Sequence, residues 1–250
     1  MGMLKISLPD GLSHEYASGT TVGEIVRNAY GKKSGAVAAL VDGEERDFSY
    51  ILEQDCDIEP ILGDTEAGRY ILRHSCAHLL AQAVVEIYPD AQPTIGPPIE
   101  NGFYYDFKMD PVGDGDLKKI EKKMQEHIRA NHTLTREEHD NRTLRDMFAG
   151  NPFKIEIMND KIGMDIGSSA YRQGDFVDLC LGPHVPSTSY LRWFKLTGTS
   201  QAYWKGDSSK ESLVRIYGMC FSSKDELRER ERQIEEAKKR DHKKIGKEME

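Results

Sequence analysis

Two short stretches of the sequence carry side chains that can do chemistry near neutral pH. The first, RHSCAHLL at positions 73–80, places His74 and His78 four residues apart in an apolar run. The second, DLCLGPH at positions 178–184, contains Cys180 and His184. Histidine is the side chain whose ordinary pKa lies nearest neutral pH, so it serves as general acid, general base and metal ligand. These four residues form the candidate site.

Three interpretations of these four residues remain open at this point. They can be separate, satisfied residues of a core. They can form a zinc site, because Zn²⁺ takes imidazole and thiolate ligands tetrahedrally, although four protein ligands leave no position for a reactive water. They can also perform metal-free acid–base catalysis, in which Lys154 stabilises a developing oxyanion and Asp178 anchors a substrate ammonium group.

A long helix is predicted to carry the two N-terminal histidines. Apolar residues recur at helical spacing from Tyr70 to Ile87, Thr65 precedes them as a candidate N-cap, and Pro89 ends the pattern. Residues four apart share one face of a helix, so His74 and His78 lie side by side. Cys76, two positions on, points away from both, and we interpret it as a buried packing thiol.

The second pair of residues is predicted to follow a strand. Residues 176–180 have strand character, and Gly182-Pro183 forces a turn. Cys180 and His184 therefore do not share a helix, despite their spacing.

The remaining elements indicate a mixed α and β protein. The aromatic run 103–107 after the turn Asn101-Gly102 is predicted to be a strand, half of it in the core and the other face free to line a pocket. The segment 153–157 fits a strand or a helix and is left open. Further elements are predicted as helices at 114–131 and 143–148 and as strands at 134–139, 194–197, 201–205 and 212–221.

The first 62 residues are predicted to form a small β-grasp-like unit of strands and one helix. We find no catalytic cluster in it, and its only histidine, His14, lies beside a predicted strand. Gly63-Asp64-Thr65 marks the boundary to the next unit. From the capping box at Ser223 the chain is predicted to be one highly charged helix, a connector that stops where a further domain would begin.

Composition excludes several classes of protein. The net charge of −8 argues against a simple basic nucleic-acid-binding domain. The last helix is locally basic, however, and can contact phosphate through Lys238, Lys239, Arg240, Lys243, Lys244 and Lys247. With no signal-peptide pattern, no long apolar run and four irregularly spaced cysteines, the sequence predicts a cytoplasmic protein with free thiols and no membrane partner.

The sequence resembles the N-terminal part of bacterial-type threonyl-tRNA synthetases over essentially its whole length. The resemblance rests on six short sequence motifs: HSCAHL at 74–79, NGFYYD at 101–106, DLCLGPHVP at 178–186, AYWKGD at 202–207, RIYG at 215–218 and RDHKKIGK at 240–247. The resemblance implies an α+β chain in three parts. These are a β-grasp TGS domain at 1–62, a second additional or editing domain at 63–222 with a mixed or antiparallel sheet and a long helix, and a linker helix at 223–250. It also implies that the class II catalytic core, with its ATP, Mg²⁺ and Zn²⁺, is absent, as are most contacts of a homodimer.

The family's editing domain hydrolyses serine wrongly esterified to threonine tRNA, and the resemblance implies this activity here, without aminoacylation. It implies that His74 and Lys154 activate water and stabilise charge, and that Asp178 holds the serine ammonium group. His78, Cys180 and His184 would shape the pocket, and Tyr105, followed by Tyr104, would contact the substrate. The resemblance implies that editing does not depend on metal, yet zinc at the three histidines and Cys180 stays open because the ligand types allow it. The alternatives are a non-catalytic tRNA-binding module and a zinc-dependent ester hydrolase.

Overall fold

The N-terminal part of the chain forms a five-stranded sheet with one helix against it. A computed structural model describes residues 2–161 and 169–248. In the first sheet the strand order is β2-β1-β5-β3-β4, with β1 and β5 parallel and the other pairs antiparallel. The strands are β1 (Met3–Ser7), β2 (Ser13–Ala17), β3 (Ala36–Val41), β4 (Glu44–Arg46) and β5 (Cys56–Leu62), and helix α1 (Val22–Tyr30) follows β2. Thr21 and Glu24 form the reciprocal capping box that starts α1.

A 22-residue helix, α2 (Glu66–Ile87), follows directly and lies in the centre of the main core. Thr65 caps it as predicted, its hydroxyl accepting a hydrogen bond from the Gly68 amide. Buried residues occur all around its middle turns, in keeping with a helix covered on several sides. The helix therefore surrounds His78 with protein, while His74 keeps part of its surface exposed.

Two further sheets surround α2. An antiparallel sheet has the order β12-β13-β8-β6, with β7 beside β8, and a second antiparallel sheet has the order β11-β10-β9. Their strands are β6 (Gln92–Pro93), β7 (Pro98–Ile99), β8 (Gly102–Lys108), β9 (Leu134–Glu138), β10 (Ser169–Gln173), β11 (Phe176–Leu179), β12 (Trp193–Tyr203) and β13 (Ser212–Phe221). The other helices are α3 (Asp114–Ala130), α4 (Asn141–Met147), α5 (Pro152–Lys161) and α6 (Lys224–Glu248).

The predicted α+β class, with an antiparallel sheet and a long helix, is confirmed. The division at residues 62 and 222 stays a prediction, because Val37, Ala38 and Ile61 of the first sheet pack in the same apolar cluster as α2. Within the described residues, none of the helices combines the length and the apolar character needed to cross a membrane.

Three local expectations need correction or completion. The two strands expected at 194–197 and 201–205 form one strand, β12. Its pairing with β13 continues through a bulge between Leu196 and Gly198. The open segment 153–157 is helical. At the start of α6, Ser223 caps the Glu226 amide, but the Glu226 carboxylate accepts from Ser222 instead, so the capping box is incomplete.

In the basic run on α6, the side chains of Lys238 and of residues 241–248 lie outside the described part of the chain. The Lys239 side chain is described and pairs with Glu235. The glycine- and serine-rich composition of residues 163–169 also predicts a loop, and all of it except Ser169 lies outside the described residues.

Gly68→Ala is predicted to destabilise the fold although alanine favours helices. A Cβ at Gly68 would lie 1.9 Å from the Leu62 carbonyl oxygen, because the first turn of α2 crosses the end of β5 at backbone contact. We expect urea denaturation to show a loss of about 1–3 kcal/mol in the free energy of unfolding. Gly115→Ala, in the first turn of α3 where a Cβ meets nothing within 4 Å, is the matched control, with an expected gain of up to about 0.5 kcal/mol. Equal effects of both changes would contradict the close-approach argument.

Candidate functional site

The two histidines of α2 lie one turn apart with their rings in contact. Their ring centroids are 5.3 Å apart in an edge-to-face arrangement. His78 is buried, and His74 is partly exposed. Cys76 is buried with Cys220 as its neighbour and takes no part in the cluster, which confirms the interpretation from helical phase.

The turn after β11 brings the second pair onto this face of α2. Cys180 Sγ lies 2.9 Å from His74 Nε2 and 3.3 Å from His184 Nε2, and the His74 and His184 rings stack with centroids 4.5 Å apart. The turn itself has Gly182 at φ +74° and a cis peptide bond before Pro183. A Cβ at Gly182 would lie 1.8 Å from the Tyr171 hydroxyl, so only glycine fits at this position.

Ser75 completes the cluster, although no pattern in the sequence marks it as a site residue. Its hydroxyl oxygen accepts a hydrogen bond from the Val185 amide at 3.0 Å and lies 3.0 Å from His184 Nδ1. We assign the serine proton to the bond with Nδ1, which places the His184 proton on Nε2, facing Cys180. The thiol in turn donates to His74 Nε2, and the His74 proton remains on Nδ1.

His74 Nδ1 is then the end of the chain of hydrogen bonds. It is buried and has no hydrogen-bond partner among the described residues. A buried polar atom without a partner calls for an explanation, and a bound water or substrate atom is one. The only sequence signal for this role was the position of His74 in the motif.

Burial keeps these groups uncharged at neutral pH. It lowers the pKa of His74 to about 3 and that of His78 to about 4, although Asp178 opposes the shift at both. Burial and the neighbouring imidazoles hold the pKa of His184 well below its ordinary value. Burial also raises the pKa of the Cys180 thiol to about 12. The cluster consists of neutral imidazoles and a protonated thiol.

A buried ion pair adjoins the cluster. Lys154 Nζ lies 2.5 Å from Asp178 Oδ1, and these residues are only 3% and 2% exposed. The Tyr105 hydroxyl accepts from Lys154 at 3.0 Å and donates to Asp178 Oδ2 at 2.5 Å. Burial raises the pKa of Asp178, but Lys154, His78 and the hydrogen bonds outweigh it and leave that pKa below its ordinary value. His78 Nε2, 3.8 Å from Asp178 Oδ2, links the ion pair to the histidines.

A cap at the start of α5 positions Lys154. The side-chain oxygen of Asn151 accepts hydrogen bonds from the amides of Phe153 and Lys154, and Pro152 occupies the first helical position, where no amide proton is needed. The segment is therefore helical despite its alternating pattern, and Lys154 points into the core beside Tyr105.

Tyr104 lies on the opposite face of β8 from the cluster. The guanidinium carbon of Arg215 is 3.8 Å from its ring centroid, and the Tyr217 ring is its other aromatic neighbour. Arg215 is held in place by two hydrogen bonds to Asp106. The structure thus brings seven of the eight expected residues together and leaves Tyr104 outside.

Two further contacts come from residues that the sequence did not indicate. Asp47, just after β4, accepts a hydrogen bond from the His184 amide at 2.6 Å, and it accepts a second from the Tyr171 hydroxyl at 2.5 Å. No spacing rule connects Asp47 to a turn at position 184, so only the folded arrangement shows these contacts.

The donor set of the cluster suits zinc chemically. The ligand atoms of His74, His78, Cys180 and His184 lie within 4.8 Å of one another. In a tetrahedral site, however, a zinc-bound nitrogen and sulfur are about 3.6 Å apart, whereas His74 Nε2 and Cys180 Sγ are at the hydrogen-bond distance of 2.9 Å. These two atoms would have to separate by about 0.7 Å to hold the ion.

The neutral histidines predict a loss of stability on mild acidification. Unfolding releases each buried imidazole to its ordinary pKa of about 6.5. Below that pH the unfolded state binds more protons than the folded one, so the free energy of unfolding falls as pH falls. The fall approaches about 1.4 kcal/mol per pH unit for each of His74, His78 and His184. For His78 it continues down to its folded pKa of about 4.

Urea denaturation of wild type and His78→Gln between pH 6.5 and 5 measures this effect. We expect the variant to show a shallower pH dependence, by about one proton. His14→Gln, at an exposed position, is the control and should keep the wild-type slope. Equal slopes in wild type and His78→Gln would contradict the burial of a neutral imidazole.

Comparison with known proteins assigns the family. Residues 169–217 match the family model described as "Threonyl and Alanyl tRNA synthetase second additional domain", a segment that includes Asp178, Cys180 and His184. The chain is 45% identical to a threonine–tRNA ligase of Acetivibrio thermocellus over 99% of its length and 42% identical to one of Pelobacter propionicus over 100%. A threonine–tRNA ligase of Thermoplasma acidophilum is 48% identical over 87% of the chain. The chain spans 39% and 40% of the length of the first two relatives. With such identity along nearly all of its residues, the chain belongs to the threonine–tRNA ligase family and corresponds to an N-terminal part of its members.

Proposed function

We propose that this chain is a hydrolytic editing module that cleaves the ester of serine wrongly attached to threonine tRNA. The observation that carries the proposal is the adjacency of a neutral, buried histidine–thiol cluster to the Lys154–Asp178 ion pair. Ester hydrolysis needs a group that orients or deprotonates water, a donor for the developing oxyanion and a proton for the leaving oxygen. The cluster and the ion pair offer all three.

His74 is the proposed partner of the attacking water. Its Nδ1 has no partner among the described residues, and its ring is neutral at working pH. With its proton on Nδ1, the ring can donate a hydrogen bond and orient a water molecule. The ring acts as a base only after its proton moves to Nε2, which requires the Cys180 thiol to turn away. The imidazolium formed in the attack would then return the proton to the leaving ribose oxygen.

Lys154 is the proposed donor to the oxyanion. A lysine ammonium group has three N–H donors, and its contacts with Asp178 and Tyr105 use two of them. The third can meet the negative charge that develops on the carbonyl oxygen. Asp178 is the proposed anchor for the serine ammonium group, since each carboxylate oxygen accepts more than one hydrogen bond. His78, Cys180, His184 and Tyr105 would then shape the pocket.

Such a site would distinguish serine from threonine by size. Serine lacks one methyl group of threonine, so a pocket that admits threonine also admits serine, and the missing methyl supplies only about 10–200-fold discrimination. A second pocket, too small for the methyl group, reverses the preference and hydrolyses the smaller product. We propose that the buried cluster forms one wall of such a pocket.

The wider activities of the relatives are proposals for this chain as well. Because it spans only about two fifths of their length, we propose that aminoacylation, with its ATP, Mg²⁺ and Zn²⁺, and homodimer formation depend on the part of the relatives that this chain does not match. Threonine tRNA is the proposed partner, met in the cytoplasm and contacted partly by the basic end of α6.

Deacylation of serine-charged threonine tRNA by the 250-residue chain tests the proposal. We expect release of serine with sparing of threonine-charged tRNA, and a loss of about 10²–10⁴-fold in kcat/KM in His74→Ala, the range typical of general acid–base residues. His14→Ala, an exposed histidine outside the cluster, should retain wild-type activity. If the chain binds the charged tRNA yet releases no serine at saturation, it is a binding module and the catalytic proposal is wrong.

A zinc-dependent ester hydrolase is the second candidate, favoured by the four ligand atoms within 4.8 Å. With all four side chains bound, a zinc ion has no open position for water, so one ligand would have to leave before the ion could act as a Lewis acid. The metal-free proposal predicts that chelator treatment, checked by metal analysis, leaves serine release unchanged. Loss of activity with the metal, and its return on adding Zn²⁺ to wild type but not to Cys180→Ser, would establish the second candidate.

A further inference from the structure

A carboxylate from the first sheet reaches the turn that carries His184. Asp47 follows β4 directly, and its side chain is buried, with 7% of the residue exposed. One carboxylate oxygen accepts the main-chain amide of His184 at 2.6 Å, and the other accepts the Tyr171 hydroxyl at 2.5 Å. A residue far from the cluster in sequence thus bonds to the backbone of one of its members.

Burying the Asp47 carboxylate costs free energy that its contacts must offset. Removing a carboxylate from water is unfavourable without compensating hydrogen bonds or an ion pair. Burial raises the pKa of Asp47, and the two hydrogen bonds together with Arg136 and Arg46 oppose that rise. Among the described residues no cation lies within ion-pair distance of Asp47, so the two hydrogen bonds are its main compensation.

The two partners of Asp47 are the two groups that shape the turn. The Tyr171 ring packs edge-on against the His184 ring, with centroids 4.3 Å apart, and its hydroxyl occupies the space beside Gly182. Ser75 of α2 contacts His184 Nδ1 and accepts a hydrogen bond from the Val185 amide. Asp47 and Ser75 therefore hold the same two-residue segment, His184–Val185.

The position of the His184 backbone determines where its ring meets the rest of the cluster. His184 Nε2 faces Cys180 at 3.3 Å, and Cys180 faces His74 at 2.9 Å. A shift of the turn by a fraction of an ångström would lengthen the first contact and release the thiol that orients His74. Displacements of about 1 Å at a site can lower a rate about 100-fold.

We propose that Asp47 is a positioning residue of the hydrolytic site, so that the N-terminal sheet takes part in editing by fixing the His184 turn. The inference rests on the proposed function for its effect on rate, and on the geometry alone for its effect on the His184 ring.

The N-terminal sheet has separate contacts that dock it to α2. Val37, Ala38 and Ile61 pack in one apolar cluster with Ile71 and Leu72 of α2. Because these apolar contacts also dock the sheet, docking can be tested separately from the positioning of the His184 turn by Asp47. Val37→Ala weakens the apolar contact and leaves the Asp47 hydrogen bonds in place.

The experiment compares Asp47→Ala, Asp47→Asn, Tyr171→Phe and Val37→Ala in the 250-residue chain. Deacylation of serine-charged threonine tRNA gives kcat and KM, thermal unfolding gives stability, and ¹⁵N NMR of labelled histidine gives the protonated nitrogen of the His184 ring. For Asp47→Ala we expect kcat to fall about 10–100-fold with KM changed less than about 2-fold, and a shift of the His184 signals from the Nε2–H form. Asp47→Asn keeps an oxygen acceptor for the His184 amide and should restore most of kcat.

Val37→Ala should lower the unfolding temperature while kcat and the His184 signals stay those of wild type. Tyr171→Phe, which retains the ring but not the hydroxyl, should fall between wild type and Asp47→Ala and keeps the test decisive if Asp47→Ala fails to fold. Equal losses of kcat in Val37→Ala and Asp47→Ala would show that Asp47 only docks the sheet and would overturn the proposal. Unchanged His184 signals in folded Asp47→Ala would also overturn it, even if wild type proved inactive and the proposed function itself failed.

Discussion

The buried ion pair between Lys154 and Asp178 is the interaction on which the candidate site depends. It joins the start of α5 to β11 and, through the Tyr105 hydroxyl, to β8. Each charge would be strongly destabilising alone in this interior, and the pair becomes tolerable because the two charges contact each other directly and the Tyr105 hydroxyl bonds to both. Such a pair contributes little net stability, so its presence is better explained by what it does next to His78.

The ion pair supplies charge without disturbing the neutrality of the cluster. Burial has the largest effect on the pKa of His78 and lowers it, while Asp178 favours the protonated ring and Lys154 opposes it. The site therefore keeps polar groups of two kinds within a few ångströms. Neutral imidazoles can exchange protons, and a fixed cation can meet a developing negative charge. The same histidines exposed to water would be partly protonated near pH 6.5 and would not form a neutral cluster.

Local rules predicted most of what holds α2 and the turn after β11. The Thr65 cap, the shared face of His74 and His78, and the turn at Gly182 each follow from short-range geometry. The side of β8 that meets the site was harder to assign, because period-two alternation separates Tyr104 from Tyr105 without saying which faces the core. The segment around Lys154 is ambiguous in the sequence for a similar reason, because its alternating pattern also fits a strand. The Asn151 cap makes it helical.

Asp47 shows why the long-range contacts of the site could not be predicted from the sequence. In the sequence it is one acidic residue among many in an acidic segment, with no partner at helical or strand spacing. Its role arises only when the first sheet packs on α2 and the β10 strand presents Tyr171 to the same point. The His184 turn is then held by groups from three parts of the fold, and none of these parts forms the geometry alone. A site assembled in this way links one carboxylate at the end of β4 to the position of an imidazole ring, so a change at Asp47 can move the His184 ring without a direct contact between the two side chains.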